Sequence, residues 1–233
     1  MKTSNLLAVV ALACAIGQAQ ATKITFTGGT VTRHNGTTAV TANNTNYQNV
    51  DYYTEGGFKL QFVGANTAFS SNVGNYYGVG NDVIHGHWAT GSFGTLTEIR
   101  VTKVDNTAFN LTSFALTSNT DHGGGAASGN EQAFIHASID GTTESFSQML
   151  PPENWGFPAT KVVLGSNFSG IKSFYFTVND KVDCFGMDDF FLNESDPTLP
   201  PSAVAVPEPE TYAMMLGGLG LLAFVARRRS RKG

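Results

Sequence analysis

Phe58, Leu60 and Phe62 alternate with Lys59 and Gln61, and Ile99 and Val101 alternate with Glu98, Arg100 and Thr102. A period of two puts one set of side chains on one face of a pleated strand and the other set on the opposite face. The same period returns at Ile24 and Phe26, at Ile135, Ala137 and Ile139, at Val162 to Leu164, and at Phe174, Phe176 and Val178; a last strand runs from Cys184 to Leu192. Asp140-Gly141 is a turn signal leading to a strand near Phe146. Glycine, asparagine, serine and threonine fill the gaps, and no internal stretch keeps a helical period. Many short, half-buried strands predict an all-β fold, an antiparallel two-sheet sandwich of jelly-roll type.

Two strands break phase. Phe109 and Leu111 lie on one face but Phe114 and Leu116 on the other, which predicts a bulge or bend near Thr112-Ser113. Phe185 and Met187 give way to Phe190 and Leu192 across Asp188-Asp189 in the same manner. A carboxylate at that break needs a partner. Backbone amides, a salt bridge to a residue such as Lys181, or Ca²⁺ would each serve, and structural pairing is the preferred reading.

The two ends of the chain carry addresses. Met1 to Ala21 combines Lys2, an apolar stretch from Leu6 to Ile16 and an Ala19-Gln20-Ala21 cleavage site, so 1–21 reads as a signal peptide. Residues 22–193 are the predicted β-sandwich domain, 194–205 a linker holding Pro197, Pro200 and Pro201, and 206–233 the tail. In extended form the linker reaches about 40 Å. Pro207 and Pro209 open the tail and keep a helix from starting before Glu210. The apolar stretch Tyr212–Ala226 follows, about 22 Å long as a helix against a bilayer core of about 30 Å. Arg227, Arg228 and Arg229 then mark a cytoplasmic end, which makes a short membrane helix with its C-terminus inside.

Val206, Pro207, Glu208 and Pro209, the run Leu216-Gly217-Gly218-Leu219-Gly220-Leu221-Leu222 and the Arg227-Arg228-Arg229 cluster together resemble the PEP-CTERM sorting signal of Gram-negative bacteria. The signal peptide implies export by the Sec machinery, and together with the tail it implies a chain held in the inner membrane as a precursor. An exosortase-type membrane peptidase would then process it for the cell surface or extracellular polysaccharide. Ala108–Phe114, the Ile139-Asp140-Gly141 turn, Phe174-Tyr175-Phe176 and Phe185–Phe190 look like the sandwich domains that precede such tails. No binding residue carries over from that pattern.

Charge narrows the partners. Residues 22–205 hold 16 acidic against 8 basic side chains, a net charge near −8, which argues against nucleic acid. Cys184 is the single cysteine there, so no disulfide forms within the domain, and its apolar neighbours Val182, Phe185 and Met187 mark it as core.

The candidate chemistry is sparse. His85-Gly86-His87 could share a metal across one strand face, but without a third ligand at suggestive spacing it reads as a surface loop, and no metal or cofactor is assigned. Asp121-His122-Gly123-Gly124-Gly125 reads as a hairpin connection. Asp140 and Glu144 could be imagined as a glycosidase pair, yet a turn explains them better. Tyr47, Tyr52, Tyr53, Tyr76, Tyr77, Trp88 and Trp155 stand in loop-like segments, where they would stack on sugars or, the preferred reading, cap the ends of the sandwich. The expectation is a non-enzymatic exported protein with a structural or adhesive role and glycan contact. A secreted polysaccharide-acting hydrolase is the alternative.

Overall fold

The computed structural model describes residues 21–64, 70–76, 80, 82–89, 94–121, 130–151 and 160–193. Among these the chain forms fifteen strands and one 3-10 turn, Ser166–Phe168. The first eight strands are β1 (Thr22–Ile24), β2 (Thr30–Arg33), β3 (Thr38–Val40), β4 (Asn46–Gln48), β5 (Val50–Glu55), β6 (Phe58–Gly64), β7 (Ser71–Gly74) and β8 (Val83–His87). The remainder are β9 (Leu96–Lys103), β10 (Leu111–Asp121), β11 (Ala133–Ser138), β12 (Phe146–Met149), β13 (Thr160–Val163), β14 (Ser173–Val178) and β15 (Val182–Leu192). The signal segment, linker and tail lie outside the described residues, and so do the helices expected at the two ends. Among the described residues no helix is long and apolar enough to cross a membrane. The chain divides into two compact units, Met1–Glu194 and Ser195–Gly233.

Two antiparallel sheets make up the first unit. One has seven strands in the order β13-β10-β15-β8-β7-β4, with β1 also pairing β15; the other has eight, in the order β12-β11-β14-β9-β6-β5-β2-β3. Alternation predicts which face each strand buries. Phe58, Leu60 and Phe62 of β6, Ile99 and Val101 of β9 and Phe174 and Phe176 of β14 all turn into the core, while Gln61 is exposed. Phe rings join the sheets: Phe114 to Phe176 at 5.2 Å between centroids, Phe176 to Phe185 at 5.8 Å and Phe174 to Phe190 at 5.7 Å. Each such ring contributes about 1.5–3 kcal/mol through burial.

Ile139 departs from the expected pattern. β11 ends at Ser138, and Ile139 sits in the following turn, 61% exposed. The turn around Asp140 takes over the backbone there, so the strand cannot continue.

Both phase breaks are bulges, and they lie side by side. Leu111 pairs Leu192 and Ser113 pairs Phe191, so β10 carries an extra residue at Thr112. Ser113 then pairs Phe191 and Ala115 pairs Asp188, which puts the extra residue on β15. By Leu116↔Met187 both strands have advanced five residues and the register is restored. Leu111, Phe114 and Leu116 therefore share the core with Phe185, Met187, Phe190 and Leu192. Asp189 takes φ 46° at the break. Asp188 Oδ1 accepts from the Asp189 amide at 2.7 Å, and Asp189 pairs with Lys23 at 2.8 Å rather than with Lys181, whose partner is Asp180.

Candidate functional site

The His85-Gly86-His87 motif is not a surface loop. It forms the end of β8, with Cys184 of β15 directly opposite His87 and Gly186 opposite His85. Ile84 packs in the core, as do Phe185 and Met187 on β15, so strand alternation turns His85, His87 and Cys184 together to the outer face of the seven-stranded sheet. Gly86 faces inward, where a Cβ would collide with the Leu96 side chain. The glycine lets Leu96 pack against the strand while its neighbours project the other way. Cys184 is buried, as expected, but it belongs to this outer cluster and not to the apolar core between the sheets.

The three side chains are close. One ligand-capable atom from each of His85, His87 and Cys184 lies within 4.8 Å of the others. Cys184 Sγ stands 3.0 Å from His87 Nδ1, and Tyr76 Oη stands 3.1 Å from His87 Nε2. The Tyr76 ring stacks on His85 at 3.9 Å and closes the cluster from outside. His85 is fully buried and His87 partly exposed. Burial holds the His85 imidazole well below its usual pKa. His87 is also lowered by burial, with the Asp183 carboxylate opposing that shift. Burial raises the Tyr76 phenol, and negative charge at Cys184 and Asp183 adds to the effect. Both rings are thus held neutral at physiological pH, the form in which imidazole binds metals.

The outer face of the eight-stranded sheet is different in kind. Its register sets Tyr52, Gln61, Arg100, Tyr175 and His136 in one transverse row across five strands. At about 4.8 Å per strand the row is about 19 Å long. The His136 ring lies nearly parallel to Tyr175 at 4.5 Å, and the Arg100 guanidinium covers the Tyr175 ring at 4.6 Å. Arg100 is braced by Glu98, and His136 Nδ1 meets Glu144 at 2.7 Å. Lys59 covers Tyr52 at 4.3 Å. The result is a flat, half-exposed face of stacked rings and fixed polar groups.

Asp140 and Glu144 do separate work. Asp140 Oδ1 accepts from the amides of Thr142 and Thr143, both at 2.7 Å, and from Ser138 Oγ, which shapes the turn. Glu144 is tied to His136 and to the Tyr175 hydroxyl at 3.2 Å. Of the aromatic side chains read as loop residues, Tyr47, Tyr53 and Trp88 are buried in the core, and among the described ones Tyr52 and Tyr76 remain part-exposed at the two outer faces. Tyr77, Trp155 and residues 122–125 lie outside the described residues.

Comparison with known proteins bears on the other end of the chain. The PEP-CTERM protein-sorting motif matches residues 205–229, a span that includes Val206, Pro207, Glu208 and Pro209 as well as Arg227, Arg228 and Arg229. The chain carries a PEP-CTERM sorting tail. Such a tail implies an exported protein, anchored in a membrane as a precursor and processed by an exosortase for the cell surface. No curated protein matches the sequence. Among solved structures, the chain is similar to the K1 cleaved adhesin domain of Lys-gingipain from Porphyromonas gingivalis. The two are 14% identical over 74% of this chain and 96% of that one, with a TM-score of 0.38. A score that low fixes neither topology nor ligand.

Proposed function

We propose that the β-sandwich works outside the cytoplasm as a structural or adhesive component of the cell surface or its exopolysaccharide matrix. It acts by binding and not by catalysis. The Sec machinery exports the chain, its tail holds it in the inner membrane, and an exosortase-type peptidase then releases or transfers it. The PEP-CTERM match at residues 205–229 carries this reading. In this reading the transverse row from Tyr52 to His136 supplies the glycan-facing surface, because Gln61, Arg100 and the Tyr52 hydroxyl offer hydrogen bonds to sugar hydroxyls beside half-exposed rings.

A glycan array probed with wild type and Tyr175→Ala tests the second part of this reading. Binding to polysaccharide that weakens at least tenfold in the variant, about 1.4 kcal/mol, is the expected result. Equal binding by both proteins would move the contact elsewhere. Reducing-end release from the same glycans would instead favour a hydrolase.

A further inference from the structure

We propose that His85, His87 and Cys184 form a binding site for one borderline-soft divalent metal ion, zinc or copper, on the outer face of the seven-stranded sheet.

The donor set is the first argument. Two imidazoles and a thiolate suit Zn²⁺ or Cu²⁺ and disfavour Ca²⁺ and Mg²⁺, which take oxygen ligands. Placement is the second. Paired β strands carry all three residues, so the backbone fixes their separation. His87 and Cys184 are cross-strand partners, and His85 is two residues from His87 on the same face. Around a tetrahedral zinc the ligand atoms stand about 3.3–3.7 Å apart, given Zn–S near 2.3 Å and Zn–N near 2.0–2.1 Å. Atoms already within 4.8 Å of one another stand about 1 Å from that spacing, a distance of the order a side-chain adjustment covers. Gly186, opposite His85, brings no side chain to obstruct the movement.

The surroundings agree with the donor set. With His87 Nδ1, which faces Cys184 Sγ, bound to the metal, Nε2 would keep the proton and donate to Tyr76 Oη, the outer-shell bond that orients metal-binding histidines. Tyr76 also stacks on the His85 ring. A thiolate, two neutral imidazoles and a divalent ion leave one positive charge. Asp183, next to Cys184, is fully buried, and neither of its carboxylate oxygens has a hydrogen-bond partner among the described residues. Burying such a carboxylate is costly without a nearby positive charge. Metal binding would supply one. The part-exposed edges of His87 and Tyr76 provide a route for entry.

The test uses the full chain, purified with reductant in metal-free buffer and titrated with Co²⁺ alone. We expect saturation at one equivalent, a near-ultraviolet thiolate-to-cobalt charge-transfer band, and loss of that band when Zn²⁺ is added. Cys184→Ser abolishes the band. His87→Gln, at a part-exposed position, weakens cobalt binding at least tenfold with the far-ultraviolet circular dichroism unchanged. A wild-type titration without a charge-transfer band overturns the site, as does a His87→Gln titration indistinguishable from wild type. The metal recovered with the exported protein distinguishes zinc from copper, and recovery of neither counts against the proposal.

Discussion

Single carboxylates fix several of the irregular turns of this chain. Phe26 is fully buried at φ 60°, a backbone state that costs a non-glycine residue about 1–3 kcal/mol. Glu55 holds it there by accepting the Thr25 and Phe26 amides at 3.1 and 3.0 Å and the Tyr53 hydroxyl at 2.8 Å. Burial in turn lifts the Tyr53 phenol well above its ordinary pKa, with Glu55 adding to the effect. Asp140 and Asp105 play similar parts at exposed turns. Amide bonds from Thr143 and Thr142 hold Asp140 well below the usual carboxylate range, and the Thr107 hydroxyl, its amide and Lys103 lower Asp105 to about 2. A depressed folded-state pKa means that the unfolded chain binds protons first as pH falls. The stabilisation is therefore complete above the unfolded value near 4 and is lost between about pH 4 and 2. Melting temperature should drop through that window in wild type and drop less steeply in Asp140→Ala, which begins from a lower plateau. Identical slopes in the two proteins would remove Asp140 from the account.

At the scale of the strand, the paired bulges of β10 and β15 let two out-of-phase apolar sets share one core. The feature depends on Asp189 adopting φ 46°, which asparagine tolerates and valine does not. Asp189→Val should therefore lose about 2 kcal/mol of stability in a denaturant titration. Asp189→Asn, losing only a part-exposed ion pair with Lys23, should stay within about 1 kcal/mol of wild type. Equal losses would mean that the ion pair, and not the backbone, makes the site sensitive. Both bulges are legible in the sequence because Phe and Leu mark the phase on either side of each break. β4, β7 and β8 are not legible. Ser71 to Gly74 is buried on both faces, so no polar residue alternates with an apolar one, and glycine and asparagine there imitate a loop. The cluster at His85 was half visible for a related reason. An i, i+2 histidine pair can be read along the chain, but Cys184 joins it only through the β8–β15 register, 97 residues away.

For the whole molecule, the tail decides where the sandwich works. Replacing Pro207, Glu208 and Pro209 with alanine should leave an unprocessed precursor in the membrane fraction of the native host, read as a higher mature mass. Unchanged processing would mean that the peptidase recognises something else in residues 205–229. The tail has a further consequence through the strand that precedes it. β15 is hydrogen-bonded to β10 along its length, to β8 from Cys184 to Met187, and to β1 from Phe190 to Leu192, the end where it meets the linker. Asn193 caps that exit, donating its amide to Asn110 O and accepting from the Asn110 amide through Oδ1. Tension arriving through the linker is thus carried by a central strand. Drawn along its own axis, that strand must slide past three neighbours and break many hydrogen bonds at once, whereas an edge strand would peel away one bond at a time. A pull along that axis would be resisted in shear.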